Sequence, residues 1–134
     1  MNKKEAKILI VDDIEDNRYT LERSLKKDGY ENIALAECGK DALKLVNESK
    51  FDLILLDLMM PIMNGFEFLK SIRETNLNSI PILVLTGADL SEDEKSFLSG
   101  EVQRILEKSE DTLSSIVSEV GNVIKASSKE GGKK

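Results

Sequence analysis

The sequence predicts a three-layer α/β domain: a doubly wound, five-stranded parallel sheet with five helices on its two faces. Three observations predict it. Short aliphatic runs recur at residues 7–11, 33–36, 53–56, 82–85 and 102–106. The runs at 53–56 and 82–85 have no polar face, which is the pattern of a parallel strand covered on both sides. Each run is followed by a segment of helical periodicity, and strict alternation of strands and helices with short connections calls for right-handed crossovers.

Taken in order, the first strand ends in Asp12 and Asp13. Ile14, Leu21 and Leu25 then follow at helical spacing through residues 14–28, with Glu15 and Asp16 in the first turn and Lys26, Lys27 and Gly29 at the end, the charge polarity and stop signal of a helix. A second strand at 33–36 leads to a second helix at 40–49, whose apolar positions are Ala42, Leu43, Leu45 and Val46. The central strand ends in a lone acid, Asp57. Pro61 forbids a continuing ladder, Asn64 with Glu67 marks a helix start, and Gly65 loosens the turn, so a shaped loop holds Asp57 at an exposed rim. Phe66, Leu69 and Ile72 give a third helix, and the fourth strand ends in Thr86 and Gly87. Ser91 and Glu94 form a capping box for a short fourth helix to about Leu98, and the fifth strand leads to Lys108. Leu113, Ile116, Val117, Val120 and Ile124 make one apolar stripe on a last helix. Residues 127–134 contain no apolar side chain, so the expected organisation is one domain over 1–125 and a disordered tail or linker over 126–134.

Composition narrows the chemistry. The 134 residues suit one domain with a real core. No apolar run approaches the length of a membrane span, and Asp12 and Asp13 interrupt the first one too early for a signal peptide, so the cytoplasm is the expected compartment and no membrane partner is expected. With a single cysteine, Cys38, and no histidine, there is neither an internal disulfide nor a Cys/His metal site. A net charge of −6 argues against nucleic-acid contacts and makes a cation the more natural guest.

The expected strand order is 2-1-3-4-5, which makes the first and third strands neighbours at the switch point and brings Asp12, Asp13 and Asp57 together. Carboxylates within about 5 Å of one another repel by several kcal/mol at the effective dielectric of a protein rim, so a positive group belongs among them. With only oxygen donors on offer, that group is Mg²⁺. An aspartate so placed can take a phosphoryl group as an acyl phosphate, provided a metal, a hydroxyl and a cationic side chain neutralise the charge on the transferred group. Thr86 and Lys108, at the ends of the fourth and fifth strands, supply the hydroxyl and the cation.

On these residues the chain resembles the receiver domain of bacterial two-component response regulators, a CheY-like, flavodoxin-like fold. The pieces that carry the resemblance are Ile10-Val11-Asp12-Asp13 with Asn17 and Arg18, Asp57-Leu58-Met59-Met60-Pro61 with Gly65, Leu85-Thr86-Gly87, and Lys108. The strand order given above is that family's order and rests on the resemblance. The resemblance implies that Asp57 is the phosphoacceptor, that Asp12 and Asp13 hold Mg²⁺ (for which Mn²⁺ can substitute) together with Asp57 and the backbone carbonyl of Met59, that Thr86 contacts the phosphoryl group and that Lys108 pairs with it. It also implies a sensor histidine kinase or histidine phosphotransfer protein as donor, no catalysis beyond the domain's own phosphorylation and dephosphorylation, and an output to a protein partner or homodimer through the fourth helix, fifth strand and fifth helix. The chain departs from the family pattern twice: Ser109 stands where Pro usually follows the lysine, and Ile105 where Tyr or Phe usually stands. A trans peptide is expected between Lys108 and Ser109, because a cis bond before a residue other than Pro costs about 2.5–4 kcal/mol.

Two other functions compete. A receiver-like interaction module that works without phosphorylation is compatible with Ile105 and Ser109, but not with the need to keep three acids. A flavodoxin-like cofactor protein needs a hydroxyl- and amide-rich phosphate loop after the first strand, where this chain has Asp12, Asp13, Glu15 and Asp16. No glycine-rich GxxxxGK segment exists for a P-loop enzyme.

Overall fold

In the computed structural model, which describes residues 2–57, 65–73, 80–86, 91–99, 104–107 and 113–132, strands and helices alternate along the chain. The order is β1 (Lys7–Val11), α1 (Glu15–Lys27), β2 (Asn32–Ala36), α2 (Gly39–Glu48), β3 (Leu53–Asp57), α3 (Gly65–Arg73), β4 (Ile82–Thr86), α4 (Glu92–Ser99), β5 (Arg104–Glu107) and α5 (Leu113–Gly132). All pairings are parallel and the sheet order is β2-β1-β3-β4-β5, as expected.

Alternation of side chains along each strand sorts the core into two layers. Leu9, Val11, Ile54, Leu56, Ile82 and Val84 face one side, where they meet Ala42 and Val46 of α2, Phe68, Leu69 and Ile72 of α3, and Leu98 of α4. Ile8, Ile10, Leu53, Leu55, Leu83 and Leu85 face the other, against Leu21 and Leu25 of α1 and Ile116, Val120 and Ile124 of α5. Each fully buried Leu or Ile contributes about 1.5–3 kcal/mol, so an all-apolar strand such as β3 is stabilised from both faces at once.

The ends of the elements are set by local chemistry. Gly29, at φ 110, closes α1: its N–H donates to the Lys26 carbonyl at 3.1 Å and the Tyr30 N–H to the Leu25 carbonyl at 3.1 Å, a Schellman pair whose hydrophobic contact is made by buried Leu25 and Tyr30. The capping box of α4 is formed in both directions, Ser91 N–H to Glu94 Oε1 at 2.8 Å and Glu94 N–H to Ser91 Oγ at 3.1 Å. At the foot of the sheet the Asp52 carboxylate accepts from the Lys7 N–H at 2.8 Å while the Asp52 N–H donates to the Lys7 carbonyl at 2.8 Å, tying the approach to β3 onto the start of β1.

β5 takes its register from β4, whose Leu83 pairs with Arg104 and whose Thr86 pairs with Glu107; residues 102 and 103 of the expected strand lie outside the described residues. α5 is helical as far as Gly132, past Ile124 where its apolar stripe ends. No proline stands between Ile124 and Gly132, so nothing in the covalent chain stops the helix where its apolar stripe ends.

Candidate phosphoacceptor and cation site

Sheet register builds the site. Val11, the last residue of β1, pairs with Leu56, so the residue that follows it, Asp12, leaves the sheet beside Asp57. On the other side Asp57 pairs with Leu85, which puts the end of β4, Thr86, next along the same rim. The strand ends therefore converge at the carboxyl edge of the sheet, where open α/β folds bind ligands.

Carboxylate oxygens of Asp12, Asp13 and Asp57 all lie within 4.8 Å of one another. Asp12 and Asp57 are buried and Asp13 is exposed, so the cluster has a floor and an open side. Asp12 is oriented through its own loop: Oδ1 accepts from the Ile14 N–H at 2.9 Å and Oδ2 from Asn17 Nδ2 at 3.4 Å. Its backbone is held as well, the N–H donating to the Ala36 carbonyl at 3.1 Å and the carbonyl accepting from Arg18 at 2.7 Å.

The donor set fits a hard divalent cation and no softer one. It offers only oxygens, and thiolate or imidazole is excluded by a chain with no histidine and its single cysteine at Cys38, ahead of α2. Two oxygens on opposite sides of one Mg²⁺ stand about 4.2 Å apart, twice the bond length, so a cluster spanning 4.8 Å closes onto such an ion with small side-chain movements or one intervening water.

Of the residues singled out in the sequence, Asp12, Asp13 and Asp57 are brought together and Thr86 lies at the end of the adjoining strand. Met59, Lys108 and the Lys108–Ser109 peptide lie outside the described residues; Lys108 follows directly on Glu107, the last residue of β5. Ile105 is half-buried and packs on the side of the sheet covered by α2, α3 and α4. Sequence reasoning gave no role to Arg18, which is buried and donates to the Asp12 carbonyl. A signal for it existed: Arg18 occupies an apolar-stripe position of α1, four residues after Ile14 and three before Leu21, where a cation has no place unless it has buried partners.

Fold and site together define a doubly wound α/β domain with an acidic cluster at the carboxyl edge of its sheet. The comparisons sharpen that class: the family model described as response regulator receiver domain matches residues 8–119, and the chain belongs to this family. It is 42% identical over 84 residues to the response regulator MprA of Mycolicibacterium vanbaalenii, an alignment covering 63% of this chain and 36% of that protein. This chain thus matches little more than a third of the length of such curated relatives. Among solved structures it resembles the Francisella response regulator 1452 receiver domain, with a TM-score of 0.82, 27% identity and coverage of 92% and 99% of the two chains. It also resembles the chemotaxis response regulator CheY4 of Vibrio cholerae, with a TM-score of 0.78, 30% identity and coverage of 88% and 98%. Among the described residues no helix is long and apolar enough to cross a membrane.

Proposed function

We propose that this receiver domain accepts a phosphoryl group on Asp57 from a phosphohistidine donor, with Mg²⁺ or Mn²⁺ held by Asp12, Asp13 and Asp57. The observation that supports this reading is the convergence of three carboxylates from the ends of two adjacent strands, one of them alone on the central strand. A carboxylate oxygen of Asp57 attacks phosphorus in line with the P–N bond. The O–P bond forms, the P–N bond breaks with its electron pair remaining on the imidazole nitrogen, and Asp57 becomes an acyl phosphate. When bound, the cation neutralises the charge carried by the phosphoryl oxygens. The chain's own residues do the rest: Asp12 and Asp13 carry the cation, the Met59 carbonyl adds a ligand, the Thr86 hydroxyl donates to a phosphoryl oxygen, and the Lys108 ammonium pairs with another.

The donor is a sensor histidine kinase or a histidine phosphotransfer protein, and the domain turns over no substrate other than its own acyl phosphate. It works in the cytoplasm without touching nucleic acid. Its unit is residues 1–125, and residues 126–134 are a tail or linker outside that unit. The added charge, about −1.5 to −2, draws the Thr86 loop inward and alters the face of α4, β5 and α5 toward a protein partner or a second copy. Ile105 has no polar tip to re-pair, so the change at β5 is modest. Incubation with acetyl phosphate and Mg²⁺ followed by intact mass measurement tests the reading: one added phosphoryl group is expected, abolished in Asp57→Asn and by chelation. Undiminished incorporation in Asp57→Asn overturns the assignment, and no incorporation in the unaltered chain favours the phosphorylation-independent interaction module.

A further inference from the structure

Three charged side chains are buried among the described residues: Asp12, Asp57 and Arg18. Two belong to the acidic cluster, and the third is a cation bonded to the backbone of one of them. The Arg18 guanidinium donates from one terminal nitrogen to the Asp12 carbonyl at 2.7 Å, and its other terminal nitrogen is 3.5 Å from the Glu37 carboxylate, just past the end of β2. Glu37 is largely exposed, so solvent screens that pair. The short buried bond to the carbonyl is the stronger grip.

That carbonyl belongs to the peptide joining Asp12 to Asp13. A peptide is planar, so holding its oxygen fixes the orientation of the plane and with it the position of the Asp13 Cα from which that side chain departs. The N–H of Asp12 is already held by Ala36, and its carboxylate by Ile14 and Asn17. Asp13 is exposed, and its peptide linkage to Asp12 is what Arg18 grips.

We propose that Arg18 is a positioning residue for cation binding: by locking the Asp12–Asp13 peptide it aims the exposed Asp13 carboxylate at the site. The inference rests on the reading that these acids hold a divalent cation. It makes a prediction opposite in sign to the simple electrostatic one. A buried positive charge near the acids repels a second cation, so on charge alone removing Arg18 strengthens Mg²⁺ binding and a lysine in its place changes nothing. If Arg18 positions, Arg18→Met and Arg18→Lys both weaken binding, since a lysine carries the charge without the planar fork.

The test is Mg²⁺ affinity by titration calorimetry, with no phosphoryl donor present. Arg18→Lys and Arg18→Met are each expected to weaken binding by about tenfold or more, the usual consequence of losing a group that orients a metal ligand. Glu37→Gln is expected to weaken it by less than about fivefold, because its pair is screened. In an Asp13→Asn background the Arg18→Lys substitution is expected to cost nothing further, since the carboxylate it aims is gone. Unchanged or tighter binding in Arg18→Lys and Arg18→Met overturns the proposal. So does an undiminished Arg18→Lys effect in the Asp13→Asn background, or loss of the folded circular dichroism spectrum in both single variants, either of which makes Arg18 a structural residue. Binding of Mg²⁺ by the unaltered chain without phosphorylation by acetyl phosphate sinks the phosphoacceptor reading and leaves this one standing; no Mg²⁺ binding at all sinks both.

Discussion

Tyr30 carries a polar group that burial leaves unsatisfied. It is buried with the end of α1 and with α5, and its hydroxyl has no hydrogen-bond partner among the described residues. At Gly121 of α5 an added Cβ would stand 3.8 Å from that oxygen, and Lys3 lies over the ring with its ammonium 5.6 Å from the centroid. Leaving a buried hydroxyl unpaired costs about 1–3 kcal/mol, so Tyr30→Phe is expected to be neutral or stabilising by up to about 1 kcal/mol in urea unfolding. Burial pushes the phenol's pKa up from 10.0, partly opposed by the Lys3 charge. The folded state therefore keeps this proton to higher pH than the unfolded state does. The corresponding stability is present in full below about pH 10, where the unfolded phenol titrates, and is lost as pH rises through the higher folded value. In a Tyr19→Phe background, where Tyr30 is the sole tyrosine, ultraviolet absorbance should show phenolate forming above pH 10 together with that loss. Ionisation at or below pH 10 with no loss of stability contradicts this account.

At the scale of the element, caps and termini carry separable energies. Ser91→Ala removes the hydroxyl that accepts from the Glu94 N–H and is expected to destabilise by about 1 kcal/mol. Gly29→Ala forces a side chain into φ 110 and toward Lys3 Cδ at 3.3 Å, so a larger loss of about 1–2 kcal/mol is expected from the backbone alone. Chemical denaturation of both variants checks the order. The capping box was legible in the sequence because its two partners are three residues apart and nothing distant competes with them. β1, β3 and β4 were legible for a related reason: each is apolar on both faces, and only burial between two layers accounts for that. The register of β5 was not, because β4 imposes it across the sheet and the residues of β5 alone do not contain it. The far end of α5 was not, because an apolar stripe reports where a helix packs and says nothing about where its hydrogen bonds stop. Of the site, the acids were legible since they end an apolar strand or stand within two residues of its end; Arg18 was named but given no role, because its partner is a backbone carbonyl, which has no side-chain signature.

The whole molecule keeps like charges close at its rim, and folding energy is spent holding them there. Relieving that repulsion is expected to stabilise the metal-free domain: Asp13→Asn should melt at a higher temperature than the unaltered chain in the presence of chelator. Adding Mg²⁺ should reverse the order. At a free concentration about 100 times Kd, the ion stabilises the unaltered chain by about 2.7 kcal/mol, whereas Asp13→Asn responds weakly. Thermal melts of both proteins with and without Mg²⁺ measure this, and equal responses from the two contradict a cation site that includes Asp13.

Because β3 is apolar at every position from Leu53 to Leu56, its side chains alone barely distinguish one face of the sheet from the other. A slip of one residue exchanges Leu53 and Leu55 with Ile54 and Leu56 at little hydrophobic cost, yet carries Asp57 about 3.3 Å along the strand axis, onto the other face and away from Asp12. Alignment of the acids thus depends on a peg at the opposite end of the strands, where Asp52 engages the Lys7 backbone through both its carboxylate and its N–H. Asp52→Ala leaves the rim untouched in composition. It is nonetheless expected to broaden the amide resonances of β1 and β3 and to weaken Mg²⁺ binding at a site some five residues distant along β3, which makes the accuracy of the reactive edge a property manufactured at the inert one.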